Sequence, residues 1–457
     1  MKRKRLATIY FFSACSLIAC GNTAKAKPAT KDAIVKMQKV EQLLKEDECS
    51  HTPECKSQVT YYFADRRFKM NANTGESILN VEHELSQYDT AGNFRHRFLE
   101  SYEFQDGELR KWNPKVIATP KYIEILDTIY DGNFLSGEQL ELLAPKMETL
   151  YKWIETNPNH NGSILSSMVE SNPHTPFVAL DKFDPTHLFG KTVLCADDSN
   201  QESYVALKQK AWNLQSELDL MLSKHNVRYV NFSMQFPHRV LRDYIKRDCN
   251  KEPSESYLDA IADAMVTVME SFGNREGRVL VQAANYGAHS VWLGDTARDR
   301  LPNAISAGGY NIFNSRIDPS GVDLDHPNLS LEDAYSKYKP NGVDADVYVN
   351  FNYDRKNLSK REYWSLGWAQ PSNHGFGLFP VGFLHSTSES APLVLSRIVN
   401  IRHDLFENET WSNDLIEKIK SQLTPKRCEG FLKMEKKCLF QNPVPNRQLE
   451  VFRLNYR

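Results

Sequence analysis

The sequence predicts an α/β protein built on a doubly wound, mostly parallel sheet with helices on both faces, preceded by a small antiparallel β meander. Three observations predict it. Short continuous apolar runs recur at 122–127, 177–181, 192–196, 227–233, 279–284 and 304–307, the texture of strands buried on both faces. Stretches with helical apolar spacing lie between them; the clearest carries Leu258, Ile261, Met265, Val268 and Phe272 and is closed by Gly273. Residues 57–112 are instead aromatic and β-branched. There the turn signals Asp89-Thr90-Ala91-Gly92-Asn93 and Gln105-Asp106-Gly107 separate the runs 81–88, 94–104 and 108–112, an antiparallel pattern. In doubly wound sheets, sites form at the carboxyl ends of the strands.

Composition narrows the class. The chain has 457 residues, 41% hydrophobic and 25% charged, enough apolar material for at least one large core, which excludes a disordered, collagenous or multi-spanning protein. Lys and Arg number 56 against 58 Asp and Glu, so no basic excess is available to neutralise phosphates, and no nucleic-acid partner is expected.

The organisation follows in order. Lys2, Arg3, Lys4 and Arg5 precede a mostly apolar stretch at 6–19, too short to span a bilayer and typical of a signal peptide. Its end, Leu17-Ile18-Ala19-Cys20-Gly21, resembles the lipobox of bacterial lipoproteins. That resemblance implies cleavage before Cys20, lipidation of its thiol, contact with a membrane through that lipid, and, because Gly21 is not Asp, outer-membrane retention. Removing 1–19 takes four positive charges and no acid, so anchoring would rest on the lipid rather than on a basic patch. Residues 20–56 then read as a tether and a short amphipathic helix carrying Ile34, Met37, Val40 and Leu44. Next come a β-rich region at 57–114, a main domain at 115–405 and an extension at 406–457. The extension holds a helix at 413–423, a cysteine-bracketed loop and a final strand at 448–454.

Once Cys15 and Cys20 are set aside, Cys49, Cys55, Cys195, Cys249, Cys428 and Cys438 remain. An even six in an exported chain suggests disulfides. Proximity favours Cys49 with Cys55 and Cys428 with Cys438, leaving Cys195 with Cys249, although six cysteines allow other connectivities. None has the spacing of a zinc site.

Four segments fall where the sheet would place a site: Ile123-Glu124-Ile125-Leu126-Asp127-Thr128, His160-Asn161-Gly162-Ser163, Ala283-Ala284-Asn285-Tyr286-Gly287, and Thr387-Ser388-Glu389-Ser390-Ala391-Pro392 before an apolar helix. Taken singly, each is an ordinary cap or turn. Taken in order, they resemble the motifs of the subtilisin-like serine proteases. Val230-Asn231-Phe232-Ser233-Met234 and Pro302-Asn303-Ala304-Ile305-Ser306-Ala307-Gly308 add two secondary matches, and the resemblance covers about 115–404. It implies a subtilisin-like fold and an endopeptidase in which Ser388 attacks a peptide carbonyl, His160 moves the proton and Asp127 orients the imidazole. Asn285 would join the helix N-terminus in holding the oxyanion, a contribution of about 3 to 4 kcal/mol in such sites. Ser233, Met234, Gln235, Ala283 and Ala284 would line the substrate, a peptide or protein.

The family usually has glycine where this chain has Ile129, Asn161 and Ser386, and commonly at Gln235 and Ala284. The resemblance therefore implies a reshaped specificity pocket and a rate cost on the order of a hundredfold. A subtilase-fold pseudoprotease that binds peptides or a protein partner is the main rival reading. An α/β-hydrolase lacks its Gly-x-Ser-x-Gly here, and a zinc protease fails because Gln87 stands where His83-Glu84 would require a second histidine. No cofactor is required. Calcium, which many such proteases bind, has no located site, since Asp318, Asp323, Asp325, Asp344 and Asp346 form no complete loop pattern. The region before 115 does not resemble an inhibitory propeptide and is expected to stay attached as a spacer or substrate-gathering module.

Overall fold

The computed structural model describes residues 31–45, 59–62, 75–82, 97–113, 115–118, 175–234, 236–284, 300–310, 345–350, 367–372, 375–380, 387–423, 433–434 and 437–441, with Glu124, Thr128, Ile164, Leu165, Met168 and Asn172. The strands are β1 (Val59–Tyr62), β2 (Ser77–Val81), β3 (Phe98–Gln105), β4 (Glu108–Lys111), β5 (Lys115–Ala118), β6 (Phe177–Asp181), β7 (Val227–Phe232), β8 (Val279–Ala283), β9 (Ala304–Tyr310), β10 (Val347–Asn350), β11 (Gly367–Ser372), β12 (Gly375–Pro380), β13 (Lys433–Met434) and β14 (Lys437–Gln441). The helices are α1 (Lys31–Lys45), α2 (Pro185–Leu194), α3 (Gln201–Lys224), α4 (His238–Cys249), α5 (Glu255–Gly273), α6 (Thr387–Phe406) and α7 (Asn413–Gln422).

The architecture is α/β. A ten-stranded sheet runs β13-β14-β10-β9-β8-β7-β2-β6-β3-β4. The pairs from β14 to β3 are parallel, while β3–β4 and β13–β14 are antiparallel. β2 is first in the chain among the parallel strands, yet it lies inside the sheet with β6 on one side and β7 on the other. The chain leaves it toward β3 and β6, returns across it to β7, and then steps outward through β8, β9 and β10. The loops after β2 and β7 thus depart in opposite directions, which makes their carboxyl ends a topological switch point, where doubly wound sheets open a crevice.

Side-chain alternation divides the two layers. Leu79, Val81, Phe104, Leu180, Val230, Phe232 and Leu280 face one core, shared with Leu207, Leu214 and Leu218 of α3 and Leu258, Ile261, Met265 and Phe272 of α5. The opposite face carries Asn80, Tyr229, Asn231 and Ser233 and is covered by α6, whose Val394, Leu395, Ile398 and Val399 are buried. The helices start where capping predicts: Asp184 accepts from the backbone N–H of Thr186 and His187, Asn200 from Glu202, Ser254 from Tyr257 and Ser412 from Leu415.

Four expectations are corrected. The run at 192–196 begins inside α2, which ends at Leu194, and is not a strand. Glu124 and Thr128 are helical, with Thr128 Oγ1 donating to Glu124 O at 2.8 Å, so the strand expected over 122–127 is not formed at Glu124; the other residues of that run lie outside the described residues. The strands described at 77–81, 98–105 and 108–111 belong to the main sheet and not to a separate meander. β2 and β3 are parallel strands of the main sheet; among the described residues, β3–β4 forms the expected hairpin, turning at Asp106-Gly107. A domain boundary at 115 therefore cuts through the sheet. The helix carrying Val40, the α5 helix and the 413–423 helix stand as read. Cys195 and Cys249 are disulfide-bonded, closing a 54-residue separation between the end of α2 and the end of α4. Cys20, Cys49, Cys55, Cys428 and the 448–454 strand lie outside the described residues. Among the described residues, no helix is long and apolar enough to cross a membrane.

Candidate functional site at the carboxyl end of the sheet

Ser388 is the second residue of α6, a buried helix that opens at the carboxyl end of the sheet. Pro392 sits four residues later and has no N–H, so the Ser388 carbonyl loses the donor that a helix would normally supply. Ser233, just past β7, fills that gap: its Oγ donates to Ser388 O at 2.9 Å. In return, Ser388 Oγ donates to Ser233 O at 3.0 Å. Two reciprocal bonds thus pin the start of α6 to the end of β7. Ser388 is half-buried, whereas Ser233 is buried. The backbone N–H groups of the helix's first turn have no partners within the helix, and its dipole is positive at that end.

The polar link continues into the sheet. Asn231 Nδ2 lies 3.1 Å from Ser233 Oγ and donates to Asn80 Oδ1 at 3.0 Å, joining β7 to β2 on the face under α6. Glu82 follows two residues after Asn80. Its backbone N–H still donates to Leu180 O at 2.9 Å, so the β6 ladder reaches it, and its side chain is 3% exposed. The last β2–β7 register pair is Val81 with Phe232, which makes Ser233 the next neighbour of Glu82. Asp181, the final residue of β6, is also buried and holds the Lys182 backbone N–H on Oδ1 at 2.8 Å.

A second helix approaches α6 from the β3–β6 crossover. Ile164, Leu165 and Met168 are helical and fully buried, and Asn172 Nδ2 donates to Ser396 Oγ at 2.8 Å, two turns along α6 from Ser388.

The structure therefore brings Ser388 and Ser233 together. Asp127, His160, Asn285 and Gln235 lie outside the described residues. Ala283 and Ala284 are buried, with Ala284 N donating to Ala307 O at 2.9 Å. Met234 is buried in the apolar core cluster that also holds Phe236 and Leu241. Asp346, one of the acids considered for calcium, accepts from Ser306 N at 2.8 Å and Ser306 Oγ at 2.9 Å. Among the described residues, no group of three or more His, Cys, Asp or Glu is placed to hold a metal ion. The sequence reading missed Glu82 because Asn80 interrupts the apolar run Ile78-Leu79-Asn80-Val81; an acid closing a short strand was the available signal.

These features define an α/β protein with a half-buried serine at a helix start beside the switch point of a parallel sheet. No protein-family model and no curated protein matches the chain.

Proposed function

We propose that this chain is a lipid-anchored serine endopeptidase of the subtilisin-like type, with Ser388 as nucleophile. The observation that carries the reading is the placement of Ser388: a hydroxyl at the start of a buried helix, bonded to the end of β7 beside the switch point. There the helix's free N–H groups support an oxyanion, and the crevice accommodates an extended chain. His160 is the base and Asn285 the second oxyanion donor, as the sequence motifs imply. Ser388 Oγ adds to the peptide carbonyl carbon while its proton passes to His160; the C–N bond then breaks as that proton goes to the leaving amine. Water attacks the acyl ester in the same manner and regenerates the serine. The Cys195–Cys249 disulfide supports an oxidising compartment, in keeping with export and lipidation at Cys20 in the cell envelope.

A second reading, a peptide-binding pseudoprotease, draws on one observation: Ser388 Oγ donates to a backbone carbonyl. Rotation about a single Cα–Cβ bond releases that hydroxyl, so the hydrogen bond describes a resting rotamer. The deciding test reacts the full-length chain, under oxidising conditions, with a fluorophosphonate probe, whose P–F bond breaks as Ser388 Oγ bonds phosphorus. Labelling is expected for the wild type and absent for Ser388→Ala. A folded wild type that does not label establishes the pseudoprotease.

A further inference from the structure

The sequence motif assigned the orienting carboxylate to Asp127, but the strand expected over 122–127 is helical at Glu124, as is Thr128 just beyond it. The sheet itself offers another acid. We propose that Glu82 is the positioning residue of the site, the carboxylate that holds the base in the tautomer and orientation that proton transfer from Ser388 requires. This inference rests on the serine-hydrolase reading above.

Three observations carry it. Glu82 lies at the carboxyl end of β2, and β2 with β7 forms the switch point, so the crevice expected from the topology opens beside it. It is on the correct face: Asn80 joins Asn231, Asn231 joins Ser233, and Ser233 joins Ser388, and the alternation of the strand puts Glu82 on the side of Asn80. It is also at the correct depth. Glu82 is one step beyond the Val81–Phe232 pair, so its backbone stands about one strand spacing, roughly 5 Å, from Ser233, whose carbonyl receives the Ser388 hydroxyl.

Asp181 is the nearest competitor. It stands on β6, one strand farther from Ser388, and its Oδ1 is engaged in the turn at Lys182. A buried carboxylate suits the positioning task. Removed from water, it acts strongly on an imidazolium that forms beside it, and the ladder bond to Leu180 together with the packed strand fixes its direction without reorganisation during reaction.

The experiment compares fluorophosphonate labelling rates of the full-length wild type, Glu82→Gln, Glu82→Asp, Asp127→Asn and Asp181→Asn, with thermal unfolding of each. Glu82→Gln is isosteric and is expected to slow labelling on the order of a thousandfold or more, by analogy with amide replacement of an orienting acid, without a matching loss of stability. Glu82→Asp keeps the charge and is expected to fall between wild type and Glu82→Gln, while Asp127→Asn and Asp181→Asn stay within a few-fold of wild type. If Glu82→Gln does not fold, the decision passes to Glu82→Asp: about tenfold slower labelling of a folded protein supports the role, and an unchanged rate overturns it. Wild-type labelling that persists in Glu82→Gln, or is lost in Asp127→Asn alone, overturns the inference and leaves the hydrolase reading standing. A folded wild type that does not label removes both.

Discussion

One strand, β2, carries a buried glutamate at each end, and the two ends are built differently. At the amino end, Glu76 is 6% exposed and surrounded by donors. Tyr229 OH donates to its Oε2 at 2.6 Å, and Trp411 Nε1 at 2.6 Å and Arg402 Nη2 at 3.2 Å reach its Oε1. Arg402 also lies over the Trp411 ring at 5.3 Å, and Tyr229 meets that ring edge-on at 5.4 Å. Burial first, and then the Glu76 carboxylate, pushes the Tyr229 phenol well above its ordinary range, so it remains a donor. This cluster locks β2, β7, the last turns of α6 and the segment before α7 together.

At the carboxyl end, six residues away on the same face, Glu82 is similarly buried, but the polar chain beside it runs to a half-buried hydroxyl. The difference follows from the winding. The chain closes over the amino end, whereas loops diverge at the carboxyl end. The same residue type becomes a clamp in one place and a candidate for chemistry in the other.

The comparison can be broken in graded ways. Glu76→Ala should have the largest effect on stability, about 3 to 5 kcal/mol, because it leaves the Arg402 charge buried without its carboxylate. Urea unfolding would measure this, and labelling of Ser388 in the still-folded variant should be unchanged; a parallel loss would show the two ends to be coupled. Reducing the Cys195–Cys249 bridge, or replacing both cysteines with serine, should cost about 2 to 4 kcal/mol without touching either end. That pair serves as a reference for a purely structural lesion, read from the same denaturation curves.

Ser233→Ala should cost about 1 to 3 kcal/mol by depriving the Ser388 carbonyl of its donor. Adding Pro392→Ala restores a backbone N–H at the position a helix would use, so the double variant should recover most of the loss. Additive losses in the two variants would refute this account of the Ser233 bond.

The smallest effect belongs to neither end. In the helix layer, the Arg247 hydrogen bond first, with help from Thr186, holds Asp248 below its ordinary 3.8 against burial. Its folded pKa is depressed, so its stabilisation is present above about pH 4 and lost as the pH falls through the folded value. Arg247 is largely exposed, and the loss should not exceed about 1 kcal/mol. Asp248→Asn should flatten that part of the stability profile.

Much of the sheet was legible. Val227–Phe232, Val279–Ala283 and the start of Ala304–Tyr310 announce themselves as continuous apolar runs, and α5 by its helical spacing and terminal glycine. The Cys195–Cys249 pair emerged as the remainder once sequence neighbours were matched. The Thr192-Val193-Leu194 run misled because a short buried apolar segment has the same composition in a helix as in a strand. The β-rich appearance of 57–112 misled for a different reason. Local texture identifies strands but not partners, and β2 pairs with residues about 100 and 150 positions downstream.

By itself, the sequence determined the α/β class, the positions of several central strands and of some helices, and Ser388 at the start of a buried helix, because periodicity and capping are local properties of the chain. Only the tertiary structure decided that β2 stands at the switch point, that Ser233 supplies the bond that Pro392 removes, and that Glu82 and Glu76 lie on one face at opposite ends. Those relations arise from pairing between distant segments, and the free energy that selects such pairing is burial shared by both partners, which neither segment encodes alone.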